Sequence, residues 1–175
     1  MDKDLIIRSA GPEDIPLIRE LAGVAFPHTY RELLTPEQID YMMDWMYSAA
    51  NLERQMGEQM HKYFIAEYGG LPCGYLSLNR EGISEDGRVQ FHLQKIYILP
   101  EFQGRRIGSA LFTHAIEFVR DAVKDDPACI RLNVNRYNTR AVNYYRAKGM
   151  KVVFEGDFPI GNGFYMTDYI MQLDI

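Results

Sequence analysis

Leu5–Arg8 opens the chain as a short apolar strand, and the apolar positions that follow change to helical spacing. Ile15, Ile18, Leu21, Ala22 and Ala25 form one stripe. Gly11-Pro-Glu-Asp14 starts that helix, with Pro12 in the first turn, where its missing N–H does no harm. Phe26–Leu34 reads as a loop. Thr35-Pro-Glu-Gln38 is a capping-box signature for a second helix, striped by Ile39, Met42, Met43 and Met46 with Trp45 beside them. A polar helix is expected around Asn51–Met60.

The period then drops to two. Tyr63–Tyr68 and Cys73–Leu78 read as strands joined by the turn Gly69-Gly-Leu-Pro72. Gln90–Ile98 is a strand ending at Pro100, followed by a glycine-bearing loop. An amphipathic helix comes next, with Ile107, Ala110, Leu111, Ala115, Phe118 and Val119 on one side. Cys129–Val134 is a strand and Asn138–Lys148 a helix stopped by Gly149. Val152–Glu155 and Phe164–Leu173 close the chain as a hairpin around a long loop, Gly156–Gly163. The order predicts one α/β (α+β) domain over residues 1–175, with a mostly antiparallel twisted sheet and helices on both faces.

Within that pattern, Leu93–Phe112 is the segment richest in chemistry. A strand, a short loop and a helix start together present main-chain N–H groups and the positive end of a helix dipole, an anion site. Arg105 and Arg106 lie inside the loop. Leu93, Ile96 and Ile98 cannot share one face of a regular strand, so a β-bulge near Lys95 is expected, splaying the sheet there.

Composition narrows the partners. The chain has 175 residues, 47% hydrophobic and 25% charged, as in ordinary globular proteins. No apolar run approaches the ~20 residues that span a bilayer. The start Met1-Asp-Lys-Asp-Leu5 lacks the pattern of a secretory signal. Cys73 and Cys129 are far apart and in no metal-like spacing, so buried reduced thiols are expected, with a cytoplasmic location and no metal. The net charge of −5 argues against nucleic-acid binding. Residues 1–91 hold 8 Lys/Arg against 15 Asp/Glu, whereas residues 92–175 hold 11 against 9. That asymmetry suits one anionic and one cationic ligand.

Two motifs carry a resemblance. Gln103-Gly-Arg-Arg-Ile-Gly108, after a strand ending in Pro100, resembles the acyl-CoA-binding motif of the GNAT acyltransferase superfamily, Gln/Arg-x-x-Gly-x-Gly/Ala. Asn138-Thr-Arg-Ala-Val-Asn-Tyr-Tyr-Arg-Ala-Lys-Gly-Met150 resembles the family's Asn-x-x-Ala-x-x-Phe-Tyr-x-x-x-Gly-Phe. The element order agrees along essentially the whole chain. Arg106 departs from the motif, which has glycine there, and makes the loop backbone less free.

The resemblance implies the GNAT fold and acetyl-CoA as cosubstrate. The pantetheine arm would pair with the splayed strand at Ile96, Tyr97 and Ile98. The pyrophosphate would lie on the loop Gln103, Gly104, Arg105, Arg106, Ile107, Gly108 and Ser109. Asn138 would touch the coenzyme, and Tyr145 would lie near its sulfur, where a phenol can protonate the leaving thiolate. Asn138 is also a good helix cap in its own right. No general base stands out; Glu67 and His92 are the candidates.

The acceptor is expected to be a small-molecule amine bound by the first half. Tyr30, Glu32, Tyr41 and Trp45, with Glu37 and Asp44, offer the acidic and aromatic groups that suit a cation. Leu34–Tyr47 also resembles bacterial family members described as polyamine or diamine acetyltransferases. A non-catalytic acyl-CoA-binding or regulatory protein on the same fold is the alternative. The C-terminal hairpin is the candidate surface for a homodimer.

Overall fold

The computed structural model describes residues 4–175. Its elements run β1 (Leu5–Ala10), α1 (Ile15–Tyr30), α2 (Pro36–Tyr47), α3 (Ala49–Met56), β2 (Lys62–Tyr68), β3 (Leu71–Ile83), β4 (Val89–Ile98), α4 (Ile107–Val123), β5 (Ala128–Asn135), α5 (Thr139–Ala147), β6 (Lys151–Gly161) and β7 (Phe164–Asp174). Short 3-10 turns at Pro12–Asp14 and Pro100–Phe102 precede α1 and α4. The seven strands are ordered β1-β2-β3-β4-β5-β7-β6. The β1–β2, β2–β3, β5–β7 and β6–β7 pairings are antiparallel and β4–β5 is parallel. No described helix is long and apolar enough to cross a membrane.

The chain forms two compact units. The first comprises the residues up to Asn79 with Gln94–Glu117. Its core gathers Ile18, Leu21, Ala22, Phe26, Leu52, Ile65, Leu76, Leu78, Ile107 and Leu111, all essentially excluded from solvent. β1 lies on β2 with Leu5 opposite Tyr68. β2 lies on β3 with a register shift at Ala66/Glu67. The β2–β3 turn uses Gly69 and Gly70 at φ 59° and 78°, the left-handed pair that matches the twist of a tight hairpin. Thr35 caps α2 as expected, its hydroxyl accepting from the Gln38 N–H at 3.2 Å.

Helix α1 overruns the expected loop, because Phe26–Tyr30 are helical. Pro27 cannot donate to the preceding turn, yet the helix continues. Arg31 N–H donates to Pro27 O at 3.0 Å and the Thr29 hydroxyl to Ala25 O at 2.8 Å. Packing outweighs the proline: the buried Phe26 ring meets Tyr30, Tyr47 and Tyr97 with centroids 4.6, 5.9 and 5.8 Å apart. Helix α3 ends at Met56, earlier than its polar run suggested.

The second unit comprises Arg80–Leu93 with Phe118–Ile175. Val89, Phe91, Cys129, Ile130, Leu132, Val142 and Met171, on four elements, are among its buried apolar residues. The expected loop Gly156–Gly163 is strand instead. β6 runs to Gly161 and turns at Asn162 and Gly163, with φ 52° and 77°. Asn-Gly is a strong hairpin signal. It was masked because β6 is solvent-facing and shifts register at Val152/Phe154 and Pro159/Gly161, which erases alternation.

Candidate active site

β4 delivers its last residues to a tight corner. Leu99 N–H donates to Cys73 O on β3 at 2.8 Å, Phe102 N–H to Leu99 O at 3.0 Å and Gln103 N–H to Pro100 O at 3.2 Å. The Gln103 amide reaches back to Ile98 O at 3.4 Å. Gly104 takes φ 82° and Arg106 φ 61°. Arg106 therefore holds the left-handed backbone in which glycine is at ease, at a cost of about 1 kcal/mol. The departure from the motif is one of side chain, while the loop keeps a glycine-like path.

The first main-chain bond of α4 runs from Ala110 N–H to Arg106 O at 3.1 Å, so the amides of Ile107, Gly108 and Ser109 are not spent inside the helix. A Cβ on Gly108 would meet only Ile98 Cγ1, at 3.9 Å. Nothing in the fold itself requires glycine there, which is the expected condition of a surface kept clear for a ligand. Arg105 lies over the rings of Tyr68 and Phe102, 5.1 and 5.7 Å from their centroids. A positive, amide-rich corner of this kind fits a diphosphate.

The acceptor-side candidates separate into two places in the first unit. The Tyr30 hydroxyl meets that of Tyr97 at 3.2 Å, bringing the end of α1 to β4. Tyr41 and Trp45 stack on one another with centroids 6.4 Å apart, and Trp45 is 43% exposed. Glu32 is solvent-facing, 3.9 Å from Arg31.

Lys95 escaped the sequence reading. Along β4, Val89, Phe91, Leu93 and Lys95 are buried in alternation, so the strand's inner face runs in phase through Lys95 and ends on a lysine. Its Nζ donates to Gln55 Oε1 at 2.9 Å, and the Tyr63 hydroxyl donates to the same oxygen at 2.6 Å. The Tyr47 and Tyr63 rings cover the nitrogen at 5.7 and 5.5 Å. Burial pushes its pKa down to about 7. Beside it the Tyr47 and Tyr75 hydroxyls meet at 2.7 Å, and burial holds both phenols well above their usual range.

Both base candidates are engaged elsewhere. Glu67 accepts from Arg8 Nε at 2.9 Å, and His92 Nδ1 lies 3.1 Å from Glu81. Cys73 and Cys129 are buried free thiols, and burial raises Cys73 to about 11 and Cys129 in the same direction.

In the second unit Asn138 caps α5, its Oδ1 accepting from Ala141 N–H at 3.2 Å. Tyr145 is buried on that helix, its ring edge-on to Tyr144 with centroids 5.3 Å apart. The main chain between β5 and α5 is braced by Asn135, which accepts from Tyr137 N–H at 3.0 Å and from Asn138 N–H, through its carbonyl, at 2.9 Å. Opposite Asn135 in the ladder, buried Asp168 accepts from Asn133 at 3.3 Å, and burial raises its carboxyl.

Residues 17–150 match the acetyltransferase (GNAT) family, and the chain belongs to that family. An uncharacterized N-acetyltransferase of Lactobacillus delbrueckii subsp. lactis is 23% identical over 165 residues, 91% of each chain. One of Methanocaldococcus jannaschii is 30% identical over 90 residues; that match spans 51% of this chain and 38% of the relative. Among solved structures, the PaiA N-acetyltransferase of Thermoplasma acidophilum in complex with coenzyme A has a TM-score of 0.75 at 23% identity, covering 98% of this chain and 99% of its own. The spermidine/spermine N-acetyltransferase SpeG of Vibrio cholerae, in mutant form, has a TM-score of 0.65 at 19% identity, covering 99% and 95%. The single α/β domain with a mostly antiparallel open sheet is the GNAT fold.

Proposed function

We propose that the chain is a cytoplasmic N-acetyltransferase that moves an acetyl group from acetyl-CoA to a primary amine of a small molecule. The observation that carries this reading is the loop before α4, where Gly104 and Arg106 both take left-handed backbone beside two cationic side chains. The amides of Gly104–Ser109 hold the pyrophosphate, with Arg105 and Arg106 as countercharge. Ile96, Tyr97 and Ile98 receive the pantetheine arm, and a main-chain N–H of that segment polarises the thioester carbonyl. Asn138 contributes a further polar contact to the coenzyme.

The acceptor ammonium first gives a proton to solvent, and its neutral nitrogen bonds to the acetyl carbon. The carbon–sulfur bond breaks, Tyr145 protonates the departing thiolate, and the second proton shed by the nitrogen returns through water to the phenolate. The two cysteines are unsuited to carrying the acetyl group, because a buried thiol held above its ordinary pKa is a poor nucleophile. Direct attack, without an acyl-cysteine intermediate, follows. A cationic amine is the preferred acceptor class. The acidic first half favours it, and polyamines are what the Vibrio cholerae neighbour acetylates by name. Tyr30, Glu32, Tyr41 and Trp45 are its proposed contacts.

The test is thiol release from acetyl-CoA with polyamines, arylalkylamines, amino acids and peptide N-termini offered in turn. Release that depends on one amine class supports the transferase. Tight acetyl-CoA binding with no release from any of them would mean a non-catalytic acyl-CoA-binding protein.

A further inference from the structure

Lys95 immediately precedes Ile96–Ile98, and the chemistry assigned above gives it no task. It is 6% exposed. A methionine would fill the same space without desolvating an amine, so the lysine is a costly choice for packing alone. Its partners show a different use. Gln55 sits on α3, donates through Nε2 to Met46 O near the end of α2 at 2.9 Å, and accepts through Oε1 from Tyr63 on β2 and Lys95 on β4. One buried amide thus joins three elements through its two polar atoms. The groups that face the amine are Tyr47 from α2, Gln55 from α3 and Tyr63 from β2. Tyr75 of β3 stands behind Tyr47. Burial alone accounts for the shift of the lysine, and no carboxylate contributes to it.

We propose that Lys95 is a positioning residue for acetyl transfer: through Gln55 it holds the Ile96–Ile98 backbone of β4 in fixed relation to the helices α2 and α3. This rests on the reading of Ile96–Ile98 as the strand that receives the thioester arm. The physical need is one of tolerance. A main-chain N–H polarises a carbonyl only at hydrogen-bond distance, and displacement by about 1 Å costs on the order of 10²-fold in rate. The end of the strand is held along its edge, where Leu99 N–H donates to Cys73 O of β3 at 2.8 Å before the chain turns away. A polar tie on its inner face adds restraint towards α2 and α3.

The test is a double-mutant cycle of Lys95→Met and Gln55→Leu on the full chain. Turnover, acetyl-CoA affinity by calorimetry and melting temperature are read for each variant. The expected result is a kcat at least tenfold lower in each single variant, with the double variant no more than threefold below the worse of them. Acetyl-CoA affinity stays within threefold in Lys95→Met, whose melting temperature at neutral pH is no lower than wild type. Lys95→Gln, which keeps a donor, falls between wild type and Lys95→Met in kcat. Normal turnover in Lys95→Met, additive losses in the cycle, or a kcat loss that merely follows a fall in melting temperature would overturn the assignment alone. A wild-type chain that releases no thiol with any amine overturns the transferase reading, and this assignment with it.

Discussion

A Cβ built on Gly74 would lie 2.7 Å from the main-chain oxygen of Tyr97 and 2.8 Å from Ile98 Cδ1. β3 and the end of β4 therefore approach one another at a point where only glycine fits. The neighbouring Leu99 N–H to Cys73 O bond at 2.8 Å fastens the same place. Gly74→Ala forces β4 aside where Ile96–Ile98 are proposed to receive the coenzyme. Urea denaturation should show a loss of about 1–3 kcal/mol, and calorimetry a weaker acetyl-CoA site. Wild-type values in both would mean that the approach relaxes at no cost.

Gly108→Ala separates fold from ligand. The added methyl meets only Ile98 Cγ1, at 3.9 Å, so stability should be unchanged or slightly higher, as expected of alanine in a helix. Acetyl-CoA affinity should fall at least tenfold, and Gly108→Val should abolish it. Retained affinity in the valine variant would remove the pyrophosphate from this loop.

Arg106→Gly relieves the left-handed strain. A gain of about 0.5–1 kcal/mol is expected, since glycine adopts φ 61° freely but loses more chain entropy on folding. Coenzyme affinity should drop only a few fold and become less sensitive to salt, because one exposed cation is lost. A decrease in stability would show that the arginine side chain supports the loop.

Tyr145→Phe removes the phenol proposed to protonate the thiolate. Turnover should fall at least tenfold while acetyl-CoA affinity changes little. A rate equal to wild type would exclude Tyr145 from the proton transfer.

Burial of Lys95 sets a pH signature on stability. With its folded-state pKa pushed down to about 7 from the ordinary lysine value of 10.5, both states are charged below pH 7. Between there and pH 10.5 the unfolded chain holds a proton that the folded chain has shed, so the stability of the folded state rises with pH. Relative to Lys95→Met, wild type should gain stability steadily from pH 7 towards pH 9, and show a constant difference below pH 6. Comparing the two proteins cancels the contributions of tyrosines and cysteines common to both. A flat difference across the range would show that the amine is hydrated when folded.

The fold was largely written in periodicity and punctuation. Thr35-Pro-Glu-Gln38, Gly69-Gly70, Pro100 and Asn138 sit at the element boundaries they predicted. What escaped depended on tertiary context. Phe26–Leu34 reads as a loop in the sequence, whereas the rings packed around Phe26 accompany a helix that continues to Tyr30. Lys95 is polar by type and buried by position. Its place in the alternation Val89, Phe91, Leu93, Lys95 shows only from burial; in the sequence Lys95 stands out only as the neighbourhood of an expected bulge. The loop motif was plain, whereas its tolerance of arginine became intelligible only from the backbone angle of Arg106.

β6 has a further consequence. Among the described residues it is the last strand of the sheet, and Val153 and Phe154 are 47% and 56% exposed. A straight ladder of that composition would invite neighbouring chains to add strands without limit. Pro159 removes a donor, two register shifts interrupt the spacing, and Arg136 reaches Asp157 at 2.7 Å and Glu155 at 3.9 Å, keeping charge along the rim. These features oppose open-ended strand addition along this edge, whose exposed aromatic residues would otherwise favour it.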